Sequence, residues 1–315
     1  MEIDVRDSVR LGATDIYISA LGIGTWAWGD RLVWGYGRGY TEADIEAAFV
    51  ESLRHGINFF DTAEIYGWGK SERLLGKFMQ LHDVRPVIAT KFFPYPWRWR
   101  KQALLNALKG SLKRLKLERV DLYQIHWPYP PVSLETWVDA LADAVDAGWA
   151  QAVGVSNYNL EQTRRAFNTL ARRGIPLASN QVQFSLLHRK PEEEGLLHWC
   201  LEHNCTLIAY SPLGMGVLTG KYTPTNPPPG VRRRRYSRQK LLRLEPLMVV
   251  LREVAHAREK TPAQVALNWV ICKGAVPIAG AKNARQAREN AGALGWRLDE
   301  EEIRALDFAS ARIYE

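Results

Sequence analysis

The sequence predicts an α/β protein built as a (β/α)8 TIM barrel, and three observations support this prediction. Short apolar runs of β type recur eight times along the 315 residues. Segments whose apolar residues have helical spacing lie between those runs. One run and the helical segment after it together occupy roughly thirty residues, which is the length of one βα repeat. Eight such repeats favour a closed barrel over an open, doubly wound sheet.

The N-terminal part of the chain predicts a β-hairpin. Apolar and polar residues alternate between residues 10 and 19, around a turn region that contains Gly12 and Asp15. We expect this hairpin to plug or flank the barrel.

The eight predicted barrel strands are apolar runs of four to six residues. They cover residues 21–24, 57–60, 87–90, 122–126, 152–155, 179–184, 207–210 and 275–278. The helical segments between them cover residues 43–55, 72–79, 103–115, 134–147, 160–172, 192–202 and 263–272. An extra C-terminal helix is predicted at residues 299–309, with Asp299 as its N-cap.

One irregular insertion interrupts this alternation at about residues 222–240. Four prolines between residues 224 and 229 exclude a helix or a central strand at that point, so we predict a long loop. With this insertion included, the length suits a single barrel domain over residues 1–315.

Composition narrows the class of protein. The chain is 46% hydrophobic and 24% charged, as globular proteins are. It has no signal-peptide pattern and no apolar run long enough to span a bilayer, so we expect a cytoplasmic protein. We also favour a monomer. Cys200, Cys205 and Cys272 form no CxxC motif, and the histidines are not clustered at metal-ligand spacing. We therefore expect reduced thiols and no metal site.

The formal net charge of +8 suits an anionic partner, either a nucleic acid or a phosphorylated small molecule. The four consecutive arginines from Arg232 to Arg235 have three interpretations. A solvated loop is the first, a flap near the phosphates of a cofactor is the second, and a nucleic-acid patch beside Tyr236 is the third. We favour the first two and expect no nucleic-acid partner.

Polar residues end the predicted strands. Because the carboxyl ends of barrel strands converge on one mouth, these residues are expected to meet there. They are Asp61, Lys91, His126, Ser156, Asn157, Gln181, Tyr210 and Ser211, and the last strand ends at Gly280 with Lys282 just beyond. Each alone has an ordinary structural explanation, such as a turn cap or a solvated strand end. Their occurrence on successive strands favours a functional site.

The polar residues at the strand ends, together with Tyr66, suit proton transfer to a substrate. A tyrosine such as Tyr66 has an ordinary pKa of ~10 and needs a nearby cation to act as a general acid at neutral pH. Lys91 can supply that cation, and Asp61 can keep the ammonium charged and fixed in direction. His126 can donate a hydrogen bond to an oxygen that gains negative charge. The set therefore suits a carbonyl that becomes an alkoxide.

At these residues the sequence resembles the aldo-keto reductase family, and the matches cover nearly the whole chain. The motifs are Leu21-Gly22-Ile23-Gly24-Thr25-Trp26, Gly56-Ile57-Asn58-Phe59-Phe60-Asp61-Thr62-Ala63, Tyr66-Gly67, Ser71-Glu72-Arg73-Leu74-Leu75-Gly76, Thr90-Lys91, Ile125-His126, Gly154-Val155-Ser156-Asn157, Asn180-Gln181-Val182, Tyr210-Ser211-Pro212-Leu213 and Glu289-Asn290. The resemblance implies NAD(P)H-dependent reduction of an aldehyde or ketone. It also implies Tyr66 as general acid, Lys91 and Asp61 tuning it, and His126 orienting the carbonyl.

The resemblance further implies NADPH as the cofactor and a set of residues that bind it. Ser156, Asn157 and Gln181 would hold the carboxamide, and Tyr210 would stack on the nicotinamide ring. Residues 211–221 would approach the pyrophosphate, and Lys282 would receive the 2′-phosphate at a helix start. The remaining predicted contacts are Gly24, Thr25, Trp26, Asp61, Ser211, Pro212, Leu213, Gly216, Lys221, Gly280, Gln286, Glu289 and Asn290.

Gln286 stands where many family members have an arginine, and in this motif the chain is closer to the branch that resembles channel β-subunits. The competing hypothesis is therefore a regulatory subunit that binds NADPH as a sensor with little turnover. The presence of all four catalytic residue types favours the enzyme. Gly22-Ile23-Gly24-Thr25-Trp26-Ala27 also fits a Rossmann fingerprint, but the residues after it are typical of a loop and not of a helix.

Tryptophans are frequent in the predicted connections at the mouth of the barrel. Trp28, Trp68, Trp97 and Trp127 are our candidates for the wall of a substrate pocket. Such a wall favours a small-molecule carbonyl substrate that is aromatic or lipophilic, including a pyridoxal-like aldehyde. Packing between long loops is an equally ordinary role for any one of these side chains.

Overall fold

A computed structural model of the protein describes residues 7–230 and 232–313. Eight parallel strands form a closed barrel with helices around it, so the predicted (β/α)8 fold is confirmed. After the two hairpin strands β1 and β2, the barrel strands β3 to β10 are Gly22–Gly24, Phe59–Asp61, Val87–Phe92, Val120–Ile125, Ala150–Ser156, Leu177–Gln183, Thr206–Tyr210 and Val276–Gly280. The barrel closes where β10 pairs with β3.

The N-terminal hairpin is present and closes the amino end of the barrel. Its strands Ser8–Arg10 (β1) and Tyr17–Ser19 (β2) are antiparallel. Leu11, Ile16 and Ile18 pack against the apolar side chains inside the barrel, so the hairpin is a plug. Gly12 approaches the barrel so closely that a Cβ atom would lie 2.5 Å from the carbonyl oxygen of Ala178, and its φ of +59° also favours glycine.

The helices cover the outside of the barrel. Helices α1 to α12 are Glu42–Arg54, Lys70–Leu81, Lys101–Leu115, Leu134–Asp146, Leu160–Ala171, Lys190–Glu193, Leu196–Glu202, Arg232–Arg235, Arg238–Ala257, Pro262–Cys272, Ala284–Ala291 and Glu300–Ala311. Thr41, Asn159, Thr261 and Asp299 each form a capping box with the third residue of the helix that follows. Such reciprocal bonds satisfy backbone N–H groups that the first helical turn leaves free. The predicted C-terminal helix and its Asp299 cap are confirmed.

One helix prediction and one loop prediction were wrong. The segment 192–202 is not one helix but two, α6 and α7, because Gly195 has a left-handed backbone with φ of +76° and separates them. The segment at about 222–240 is not a loop throughout. It contains the helical turn α8 and the start of α9, whose N-cap Ser237 accepts a hydrogen bond from the backbone N–H of Lys240.

Strand register brings the predicted residues to one end of the barrel. Gly24 lies beside Asp61, Ser156 beside Gln181, and both Gln183 and Ile278 beside Tyr210. Asp61, Ser156 and Tyr210 are the last residues of their strands, and His126 directly follows Ile125. Among the described residues, no helix combines the length and the apolar character needed to cross a bilayer.

Candidate active site

A cavity of about 1450 Å³ opens at the carboxyl end of the barrel. Its volume exceeds the range of roughly 300 to 1,000 Å³ that is usual for small-ligand pockets, so it has room for two ligands or for one long one. Most of the predicted site residues line it: Gly24, Trp26, Asp61, Tyr66, Trp68, His126, Trp127, Ser156, Asn157, Gln181, Tyr210, Ser211, Pro212, Leu213, Gly216, Lys221, Gly280, Lys282, Gln286, Glu289 and Asn290.

A buried ion pair lies at the floor of this cavity. The Lys91 Nζ atom donates to Asp61 Oδ1 at 2.5 Å and to the carbonyl oxygen of Thr62 at 2.8 Å. Both side chains are almost fully buried. The second Asp61 oxygen accepts hydrogen bonds from the side-chain amides of Gln181 at 2.8 Å and Gln124 at 3.4 Å. Both carboxylate oxygens therefore accept hydrogen bonds, as a buried charge requires.

Burial and the ion pair have opposite effects on the pKa of Lys91. Burial lowers the pKa of the Lys91 ammonium, and the charge of Asp61 and its hydrogen bond oppose that shift. The ammonium lies 5.1 Å from the centre of the Tyr66 ring. The bonds to Asp61 and Thr62 thus hold the Lys91 amino group in a fixed position beneath the phenol.

Tyr66 departs from one expectation. Burial, with the charges of Asp61 and Tyr210 adding, raises the pKa of the Tyr66 phenol well above its ordinary value. Desolvation of the phenolate therefore outweighs the stabilisation that a nearby cation can give it. The phenol is fully protonated at neutral pH. The Tyr66 hydroxyl therefore carries a proton that it can donate, and Lys91 is the cation that can stabilise the phenolate as the proton leaves.

His126 stands next to Tyr66 with its ring nearly perpendicular, the two centroids 5.8 Å apart. Burial, with the charge of Lys91 adding, lowers the pKa of His126 well below its ordinary value, so the imidazole is neutral at neutral pH. Its buried Nδ1 atom has no hydrogen-bond partner within the described part of the chain. A neutral imidazole has one N–H to donate, and His126 lines the cavity where a ligand oxygen can accept it.

Ser156, Asn157, Gln181 and Tyr210 form one hydrogen-bonded network along the cavity. The Asn157 amide donates to the His126 carbonyl at 2.9 Å and to Ser156 Oγ at 3.0 Å. Its oxygen accepts from the Tyr210 hydroxyl at 2.9 Å. The Ser156 hydroxyl donates to the Gln181 carbonyl at 2.8 Å. These bonds fix the positions of the polar groups that were predicted to hold a carboxamide.

A cluster of cations lies at another part of the cavity. The Lys282 ammonium donates to the Trp34 carbonyl at 3.1 Å and lies 4.7 Å from the Trp34 ring and 4.5 Å from the Tyr40 ring. Arg232 lies 5.5 Å from the Trp34 ring and donates to the Tyr222 hydroxyl at 3.1 Å. Burial, then the charges of Arg232 and Lys221, lower the pKa of Lys282 to about 8. Like charges held this close indicate a site for an anion.

Gln286 has a defined role beside this cluster. Its side-chain oxygen accepts from the backbone N–H of Lys282 at 2.9 Å, and its own N–H donates to the N-cap residue Asn283 at 3.0 Å. The residue that departs from the family pattern therefore supports the loop that carries Lys282. Arg232 supplies a second positive charge in its place.

Four predicted residues do not line the cavity. Lys91 lies beneath it in the buried ion pair, and three others lie elsewhere. Thr25 is fully buried, and its hydroxyl bonds the Asp61 carbonyl at 2.9 Å and the Ser71 hydroxyl at 2.7 Å. Trp28 is also fully buried, because a turn after β3 directs its indole into the core, where the N–H bonds the Ala281 carbonyl at 2.8 Å. Trp97 is 72% exposed and stacks on Tyr95 outside the cavity. The placement of these three in the site was wrong.

Sequence reasoning left some lining residues unassigned. Trp34 was not among the tryptophans selected for the pocket, and the arginine run was left with three interpretations. In α8, Arg232 and Arg235 line the cavity while Arg233 and Arg234 do not. Residues three apart share one face of a helical turn, so a helix prediction for this run would have selected the same pair.

A model of the Aldo/keto reductase family matches residues 20–311, and the chain belongs to that family. It is accordingly an NAD(P)H-dependent oxidoreductase. The chain is 44% identical over 315 residues to the chloroplastic pyridoxal reductase of Arabidopsis thaliana, and the match covers 96% of this chain and 85% of that protein.

Solved structures agree with this assignment. A glycerol dehydrogenase from Gluconobacter oxydans superposes with a TM-score of 0.87 at 28% identity, covering 98% of this chain and 96% of that one. An aldo/keto reductase from Klebsiella pneumoniae, solved with NADP and acetate, superposes with a TM-score of 0.75 at 28% identity, covering 96% and 95%.

The residues of this chain fit a nicotinamide dinucleotide phosphate. The cavity is large, polar hydrogen-bonding groups line it near His126, and a cation cluster lies at Lys282. Between the two, Gly24 and Gly280 are paired in register, and the nearest atom to a Cβ placed on Gly280 would be 3.9 Å away. The open backbone there leaves space for a ligand to pass across the mouth.

Proposed function

We propose that the protein reduces an aldehyde or ketone to an alcohol with NADPH, and that Tyr66 supplies the proton. One observation carries the proposal: a protonated phenol and a neutral imidazole share the cavity directly above a buried lysine–carboxylate pair. This arrangement places a proton donor, a hydrogen-bond donor and a fixed cation around one point. A carbonyl oxygen that gains charge requires all three.

A reduced nicotinamide held by Ser156, Asn157 and Gln181 would supply the hydride that the carbonyl carbon needs. Tyr66 donates its hydroxyl proton to the carbonyl oxygen, and His126 donates a hydrogen bond that orients that oxygen. Lys91 stabilises the phenolate left on Tyr66, because its ammonium is only 5.1 Å from the ring centre. Asp61 holds that ammonium in place through a 2.5 Å bond. Solvent can then return the proton to the phenolate before the next turnover.

The cation cluster supports NADPH over NADH. Lys282 and Arg232 are charged groups without a carboxylate within 4.0 Å among the residues that the structure describes, so they are available to a 2′-phosphate. Lys282 also lies just before α11, whose N-terminal N–H groups favour an anion. Ser156, Asn157 and Gln181 remain our proposed carboxamide contacts, with Tyr210 at the nicotinamide ring.

Aromatic side chains support an aromatic or lipophilic substrate. The cavity wall near Tyr66 includes Trp26, whose ring centre is 6.4 Å from that of Tyr66, and Trp127, which stacks on Tyr129 at 5.3 Å. Trp68 lines the mouth and is 79% exposed, so a planar ligand would bury its indole. The name of the pyridoxal reductase relative favours a pyridoxal-like aldehyde among such compounds.

The test is a substrate panel. Purified protein would be mixed with NADPH or NADH and with pyridoxal, aromatic aldehydes and aliphatic aldehydes, and the alcohol product would be identified. We expect alcohol formation with NADPH and a preference for the planar aldehydes. If NADPH binds tightly but no aldehyde is reduced, the protein is a sensor subunit and the proposal fails. A strong preference for NADH would contradict the role of Lys282.

A further inference from the structure

Arg232 and Arg235 lie on one helical turn, α8, but reach different parts of the cavity. Arg232 acts on Lys282 and contacts Trp34 and Tyr222 at the cation cluster. Arg235 instead donates to the side-chain oxygen of Gln183 at 3.3 Å. The two guanidinium groups therefore serve two different places along the mouth.

The place that Arg235 reaches is the end of the cavity where Tyr66 and His126 lie. Gln183 pairs in register with Tyr210, so their Cα atoms are about 5 Å apart on neighbouring strands. The Tyr210 hydroxyl bonds Asn157, and Asn157 bonds the His126 carbonyl. The charge of Arg235 also acts on the Tyr210 phenol and opposes the rise of its pKa that burial causes.

Arg235 is a cation without a carboxylate within 4.0 Å among the described residues, and its hydrogen bond to Gln183 leaves other N–H groups free for a ligand. Other arginines at the mouth are placed differently. Arg73 donates to the Trp68 carbonyl at 3.0 Å, and Arg31 acts on the Tyr36 phenol. Of Arg31, Arg73 and Arg235, Arg235 is the one whose contacts lead to Gln183 and Tyr210.

We propose that Arg235 forms an anion subsite for the substrate, so that the enzyme prefers carbonyl compounds that carry a carboxylate or a phosphate. This inference rests on the proposed carbonyl reduction and adds the charge of the substrate to it. The aromatic wall of Trp26 and Trp127 holds the planar part of the substrate, and Arg235 holds its anionic group at the open edge. A guanidinium binds either oxyanion through paired hydrogen bonds.

Two matched pairs of probes test the subsite with NADPH. The first pair is para-carboxybenzaldehyde and its methyl ester, and the second is pyridoxal phosphate and pyridoxal. The readout is the ratio of kcat/KM for the charged member to kcat/KM for its partner, measured at low salt in the wild type, Arg235→Gln, Arg235→Lys and Arg234→Gln. If Arg235→Gln changes this ratio more for the benzaldehyde pair, the preferred group is a carboxylate; if it changes the ratio more for the pyridoxal pair, the preferred group is a phosphate. Arg234→Gln is the control, because Arg234 shares the helical turn but lies outside the cavity.

We expect Arg235→Gln to lower the ratio about tenfold, since Arg235 is exposed and solvent weakens the charge-assisted bond. Arg235→Lys should retain part of the wild-type ratio, and Arg234→Gln should retain all of it. Added salt should lower the ratio in the wild type. A ratio that does not change in Arg235→Gln overturns the subsite. The subsite is also overturned if Arg235→Gln raises KM for NADPH while the ratio stays unchanged, because Arg235 would then belong to the cofactor site. Absence of turnover with all four probes would instead overturn the proposed reduction, and the subsite with it.

Discussion

The buried pair of Lys91 and Asp61 allows stability and catalysis to be separated by a double-mutant cycle. Lys91→Met and Asp61→Asn each remove one partner, and the double variant removes both. Lys91 is fully buried and Asp61 is 1% exposed, so either single change leaves an uncompensated polar or charged group in the barrel. Losing one partner of a buried pair costs about 3 to 5 kcal/mol of folding free energy. The double variant leaves no unpaired charge and should recover much of that loss.

Catalysis should respond differently, because Tyr66 needs the cation whether or not the barrel is stable. A unit charge 5.1 Å from the phenolate ring contributes about 3 kcal/mol at an effective dielectric constant of about 20. That energy corresponds to a fall in kcat of roughly two orders of magnitude. We therefore expect all three variants to lose turnover, including the double variant whose stability recovers.

The assay pairs urea unfolding with steady-state reduction of an aldehyde by NADPH, using the same protein preparations. A double variant that recovers both stability and turnover would refute the electrostatic role of Lys91. A double variant whose loss of stability equals the sum of the two single losses would show that the two side chains are not energetically coupled.

Two further predictions concern charge. Because the pKa of Lys282 is lowered to about 8, its ammonium is present below that pH and lost above it, so KM for NADPH should rise as the pH increases from about 7 to about 9. KM for NADH should stay level, and Lys282→Met should abolish the pH effect; an equal rise for both cofactors would contradict the assignment. Because burial holds the pKa of His126 well below its ordinary value, kcat/KM should show no step from this residue near pH 6.5. A step there that disappears in His126→Gln would show that the imidazole titrates in the functional range.

The barrel and the positions of the four proposed catalytic residues could be predicted because they depend on local pattern and on strand ends. Apolar runs that end in a polar residue define the strands, and barrel closure brings those ends together regardless of their separation in sequence. Asp61, Tyr66, Lys91 and His126 lie together for this reason, and their roles in the reaction stay a proposal. The cytoplasmic location and monomeric state stay predictions as well.

The wrong predictions concern features that a short stretch of sequence does not determine. Trp28 and Trp97 follow strands just as Trp127 does, but the turn after each strand decides whether an indole points into the core, to solvent or into the cavity. The helix Arg238–Ala257 was missed although Leu241, Leu244, Leu251 and Val254 have helical spacing and are buried. Pro246 within the helix and the proline-rich residues before it obscured that periodicity.

The most direct test of the account is Tyr66→Phe, which removes only the proton donor. NADPH binding would be measured by fluorescence titration, and turnover by single-turnover oxidation of bound NADPH after addition of an aldehyde. We predict that NADPH affinity stays within about twofold while the rate falls by at least about a hundredfold, the contribution expected of a general acid. A Tyr66→Phe variant that reduces the aldehyde at close to the wild-type rate would remove Tyr66 from the reaction and contradict the proposed mechanism.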